Sequence, residues 1–154
     1  FGECKRLEMR TRVDLALLTL ALACDEEALA GEYLDKLGVV VQGVPPSFKA
    51  VVATIMFDTR MDLQEAHMSP FDPHATEEVR QVQVGTIPEE VFMVIRVVTL
   101  IRGMLASFSC DCRASRIWEP YARRLLSDQG VDLPASLAEA SSREGRGGEG
   151  RKER

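Results

Sequence analysis

The residues best suited to chemistry in this chain are few and scattered. Cys110-Asp111-Cys112 places two thiols two positions apart. A structural zinc site wants a second closely spaced pair, and there is none, so these read as ordinary thiols. His67 and His74, with Asp58, Asp62 and Asp72, form a loose metal-like set. Nothing in their spacing matches a helical H-E-x-x-H or an EF-hand loop, so the stretch reads as a solvated surface connection. Histidine occurs only there, which leaves no serine–histidine or cysteine–histidine arrangement for nucleophilic catalysis. Arg96 and Arg102 interrupt an apolar run. A buried guanidinium must be paired or reach solvent along its stem, and a salt bridge to Asp14 or Asp35 is the expected role, ahead of ligand binding.

The elements that must position these groups are helical by pattern. At 154 residues the chain can bury one substantial core. Apolar content of 45% with 28% charge is the balance of an ordinary globular protein. The net charge of −5 argues against nucleic acid or an anionic membrane surface. Only residues 141–154 are basic, and their arginines are interleaved with glutamates and lack aromatics, so nucleic-acid binding is not expected there either. Four cysteines (Cys4, Cys24, Cys110 and Cys112) are too few for a disulfide scaffold, and free thiols are the expectation.

Along the chain, Val13, Leu17, Leu20 and Cys24 share one helical face and Leu15, Leu18 and Leu22 a second, which predicts a largely buried first helix. Asp25 reads as the N-cap of a second helix, with Glu26 and Glu27 in its first turn and Gly38 at its C-terminal cap. Val39-Val40-Val41 is β-prone but short. A third helix is predicted from about Pro46 to Phe57, with Phe48, Val51, Val52, Ile55 and Met56 as its stripe. From Asp58 to Thr86 the periodicity dissolves into a long connection, with one helical turn near Glu77–Val82. Pro88-Glu89-Glu90 then opens a helix that is apolar on nearly every face as far as Leu105. Such a helix is expected to be buried on most sides, with the other segments packed around it. Its two arginines exclude a membrane span. After a turn at 109–112, a last helix from about Arg113 to Ser127 turns Ile117, Trp118, Tyr121, Leu125 and Leu126 inward. Pro120 falls in its first turn or kinks it. Beyond Gly130 a weak amphipathic piece (Leu133, Leu137) leads into a tail with no apolar residue after position 140, which is expected to be disordered. The fold class is therefore all-α with about five helices, a domain over 1–130 and a mixed-charge tail over 131–154.

Three stretches, taken in order, resemble one family. Phe1-Gly2-Glu3-Cys4-Lys5-Arg6-Leu7 is similar to the residues just after the metal-binding aspartate of a DFG-type motif. Tyr33-Leu34-Asp35-Lys36-Leu37-Gly38-Val39 looks like a helix pair closing on a Leu-Gly element. Ile95-Arg96-Val97-Val98-Thr99-Leu100-Ile101-Arg102-Gly103-Met104 resembles an R-x-x-x-L-x-R-G-L helix, with Trp118-Glu119-Pro120-Tyr121-Ala122 after it. Together they resemble the UbiB-like, aarF-domain atypical kinases, over about residues 1–126. The resemblance implies the C-terminal part of a protein-kinase-like large lobe. The parent protein would use ATP and magnesium for phosphotransfer or ATPase activity, in quinone or isoprenoid-lipid metabolism of mitochondria, plastids or bacteria.

By that resemblance Phe1 and Gly2 are the remnant of the cofactor-binding motif, positioning an aspartate one residue before Phe1 without touching metal themselves. The nucleotide-covering loop, the phosphate-pairing lysine and the catalytic-loop aspartate and asparagine would all lie upstream. Phosphoryl transfer depends on those groups, so this chain alone is not expected to catalyse it. Its implied partners are the missing N-terminal kinase lobe and, in the parent protein, a membrane or isoprenoid lipid. The rival reading is a stand-alone helical protein-interaction domain, in which Phe1-Gly2 carries no meaning.

Overall fold

A computed structural model describes residues 6–42, 46–58, 83–110 and 112–138. Among the described residues five helices of seven or more residues carry the fold: α1 Met9–Ala23, α2 Glu27–Lys36, α3 Pro46–Phe57, α4 Glu89–Ser107 and α5 Ala114–Asp128. A minimal antiparallel pair joins β1 Val41–Gln42 to β2 Gln83–Val84, with Val41 opposite Val84. The all-α expectation therefore holds. β2 falls inside the stretch that sequence pattern left as a connection, because two residues are too few to show any period.

The centre of the molecule is α1. Every residue from Ala16 to Ala23 is buried, which needs neighbours on all sides. Those neighbours are chiefly α5 and α2, with a smaller contact to α3, which itself packs against α2. Leu18, Leu20, Leu34, Leu126 and Leu137 are fully enclosed. Thr19, the polar member of the buried run, donates to the Leu15 carbonyl at 2.8 Å, so its hydroxyl enters the core already satisfied.

The expectation of a central α4 is overturned. Only Val91 and Val98 of α4 are buried, and its main contact is with α3. Val97, Leu100, Ile101 and Met104 stand exposed along one side, and Phe108 beyond the helix end is 81% exposed. Apolar composition measures a helix's appetite for burial; it does not supply the surfaces that bury it. Among the described residues no helix is long and apolar enough to cross a membrane.

Three local assignments also change. Asp25 is not the cap of α2. Glu26 holds that position without a side-chain bond, and Asp25 adopts φ +58°. On α3, Val52 is buried and Phe48 and Met56 pack against the core, as the predicted stripe has it, while Ala50, Ala53 and Phe57 are buried beside them and widen the inner face. The piece 131–138, placed in the tail by sequence, packs instead: Leu137 is fully buried in the core. Residues 139–154 and the helical turn predicted near Glu77–Val82 lie outside the described residues.

The Gly38 cap is as expected. Its φ is +78°, and backbone bonds from Gly38 to Asp35 and from Val39 to Leu34 close the end of α2. A β-carbon there would also stand 2.9 Å from the Pro88 ring, so glycine is required for the approach of the α4 start as well as for the turn.

Candidate functional site

Charge in this fold converges on one point, where α3 ends and α5 begins. Arg113 is the N-cap residue of α5, in extended conformation. Its Nε donates to Asp58 Oδ2 at 2.9 Å. Its Nη2 donates to the Leu22 carbonyl at 2.5 Å and pairs with Asp25 Oδ1 at 2.8 Å. The other Asp58 oxygen accepts the backbone N–H of Ser115 at 2.9 Å.

Asp58 thus serves as a distant cap. It satisfies one of the unpaired amides in the first turn of α5 and sets a negative charge at the positive end of that helix. Asp58 is fully buried, whereas Arg113 is a third exposed. The guanidinium is held above its ordinary pKa, first by its bond to Asp25 and then by Asp58, against the opposing effect of burial. Arg102 on α4 also feels the Asp58 charge, which partly offsets the burial that lowers its pKa.

The pairing expected for the α4 arginines goes elsewhere. Asp14 lies 4.0 Å from Arg10, and Asp35 accepts from Lys49 at 2.6 Å. Nor does Asp58 join a metal set: both of its oxygens are engaged, by Arg113 and Ser115. His67, His74, Asp62 and Asp72 lie outside the described residues. Among the described residues no three histidine, cysteine or acidic side chains are grouped to hold a metal. Among the described residues Cys110 and Cys112 are free thiols.

Among the openings framed by the described residues, one borders this centre and another lies between α1 and α5. A cavity of about 310 Å³ is lined by Asp25, Glu26, Glu27, Thr54, Asp58 and Arg113 among others. Of its charges, Asp25 and Asp58 both pair with Arg113. The second is a broad apolar groove of about 630 Å³ between α1 and α5, whose walls include Leu7, Leu15, Ile117, Trp118, Tyr121 and Leu125. Ile117 is 53% and Tyr121 73% exposed, in contrast to the inward orientation read from the sequence. The α5 stripe divides in two: Ala122 and Leu126 enter the core, and Ile117 and Tyr121 face the groove.

The structure therefore brings together two of the stretches that carried the family resemblance. Leu7 of the first and Trp118 and Tyr121 of the last line one groove. Phe1 and Gly2, the residues tied by that resemblance to a nucleotide site, lie outside the described residues. The Arg113–Asp58 centre was missed from the sequence, because its members are separated by 55 positions. The one available signal was an isolated Asp directly after an apolar helix. No family model, no curated protein and no solved structure matches the chain.

Proposed function

We propose that this chain is the C-terminal part of the large lobe of a UbiB-like atypical kinase. In this role it is a structural portion of an ATP- and magnesium-dependent phosphotransferase or ATPase, and it does not itself supply the reacting groups. The observation that carries the reading is the ordered set of motifs, above all Arg96 through Arg102-Gly103 and then Trp118-Glu119-Pro120-Tyr121. The helical architecture is compatible with it. The bare apolar side of α4 supports it in a second way, since a piece of a larger lobe leaves apolar surface where the remainder packs. On this reading Phe1 and Gly2 come directly after the metal-binding aspartate, and the partner is the preceding kinase lobe. The parent protein then works on quinone or isoprenoid-lipid metabolism in a mitochondrion or plastid, or in bacteria.

The test is the coding sequence upstream of Phe1, and then a thermal-shift assay. An aspartate immediately before Phe1, with a catalytic-loop aspartate and a strand lysine further back, is the expected result. The extended protein should then gain stability with magnesium-ATP while the present chain does not. A start codon directly upstream, or a nucleotide-dependent shift in this chain alone, would sink the proposal. The rival, a stand-alone interaction domain, is favoured by the α1–α5 groove. It expects cooperative unfolding of this chain without any N-terminal addition, measurable by calorimetry.

A further inference from the structure

The α1–α5 groove carries an asymmetry of charge. Six arginines lie on or cap the two helices that form it. Arg10 pairs with Asp14, Arg113 with Asp25 and Asp58, Arg116 with Asp25 and Glu119, Arg123 with Glu119, and Arg124 with Asp128. Arg12 lines the groove and is exposed, yet no carboxylate pairs with it among the described residues. Among the described residues the groove is thus an apolar trough with one cation on its wall, Arg12, that has no carboxylate partner.

We infer that the groove docks an amphipathic helix of a partner protein, with large apolar residues seated against Trp118, Ile117 and Tyr121 and a carboxylate set against Arg12. The shape selects a helix over a lone acyl chain. A small-molecule or lipid-tail site encloses most of its ligand, whereas Ile117 and Tyr121 stand more than half exposed here. A trough between two helical ridges fits a third helix, read through anchors at i, i+3 or i+4, and i+7. Aromatic anchors such as Trp and Tyr at the centre of such a contact carry a disproportionate share of the binding energy. The charge pair at the edge selects orientation and partner. This inference stands on the groove alone and does not depend on the kinase assignment.

The test uses the chain's single tryptophan, Trp118, as the reporter. Helix-forming peptides of about 16 residues, long enough to span the groove, are selected from a displayed library on the folded protein and titrated by Trp118 emission. The expected binders share an apolar i, i+4, i+7 stripe and one acid. Arg12→Glu should weaken them about tenfold, and a peptide with that acid reversed to arginine should recover the loss on the Arg12→Glu protein. Tyr121→Ala, at an exposed position, should weaken binding without lowering the melting temperature. Arg10→Glu should leave binding unchanged.

Binders without an acid, or binders indifferent to Arg12→Glu, would overturn the inference. So would dodecanoate shifting Trp118 emission where no peptide does, or self-association that hides Trp118. An upstream-extended protein that binds no peptide would overturn it too, by showing the groove to be filled from within the same chain.

Discussion

Helices α1 and α4 are close to identical in kind as sequences: long, apolar on nearly every face, and broken only by isolated polar residues. In the fold they could hardly differ more. α1 buries an unbroken run from Ala16 to Ala23, whereas α4 buries Val91 and Val98 and leaves Val97, Leu100, Ile101 and Met104 exposed. The difference lies in the partners. α1 packs against both α2 and α5, with α5 tied to the end of α3 by Arg113 and Asp58. α4 rests mainly on α3. Hydrophobic composition states what a helix can bury, and only the number of opposed surfaces decides what it does bury.

The comparison is broken most severely at the link that gives α1 its second flank. Asp58→Ala removes a fully buried carboxylate that joins Arg113 to the first turn of α5. It should cost about 3 kcal/mol in chemical denaturation, because the Ser115 N–H is left bare and a charged bond to Arg113 is lost. A loss below about 1 kcal/mol would mean that α5 is held by apolar packing alone. Next, Leu18→Ala in the middle of α1 should cost about 3 kcal/mol, while Met104→Gln on α4 should stay within about 0.5 kcal/mol. The pair Leu100→Gln and Met104→Gln should also reduce hydrophobic-dye binding. Equal costs at Leu18 and Met104 would erase the distinction between the two helices.

A smaller effect is expected at the junction between α2 and α4. Gly38→Ala meets both the positive φ and the Pro88 ring, and should cost about 2 kcal/mol in thermal unfolding. The smallest is a pH effect. Burial, more than any nearby charge, raises the Tyr33 phenol above its ordinary value. The folded state therefore holds that proton more tightly than the unfolded one. This contribution is complete below about pH 10 and is lost as pH rises through the raised value. Tyr33→Phe should remove this component of alkaline unfolding, as monitored by circular dichroism.

Much of the fold was legible. The existence of α1, the spans of α3 and α5 and the Gly38 cap arise from periodicity and cap residues, which are local signals. The errors share a cause: each concerned which surface a segment meets. Asp25 has the chemistry of a cap, but Arg113, far along the chain, drew its carboxylate away. Leu137 stands in a polar neighbourhood, yet the core had room for one more leucine. The α4 arginines were matched to acids that Arg10 and Lys49 already engage. Of the candidate site, the residue types around Trp118 and Tyr121 were visible, but the groove required α1 and α5 to be laid side by side.

The bond from Arg113 to the Leu22 carbonyl spans 91 positions, and this has a consequence for synthesis on the ribosome. When α1 emerges, the helix that completes its enclosure has not been translated. At typical elongation rates the interval is on the order of ten seconds. Through that time, among the described elements, α2 and α3 are the neighbours at hand to cover the most buried helix of the core, so its α5-facing side is a natural binding place for nascent-chain chaperones.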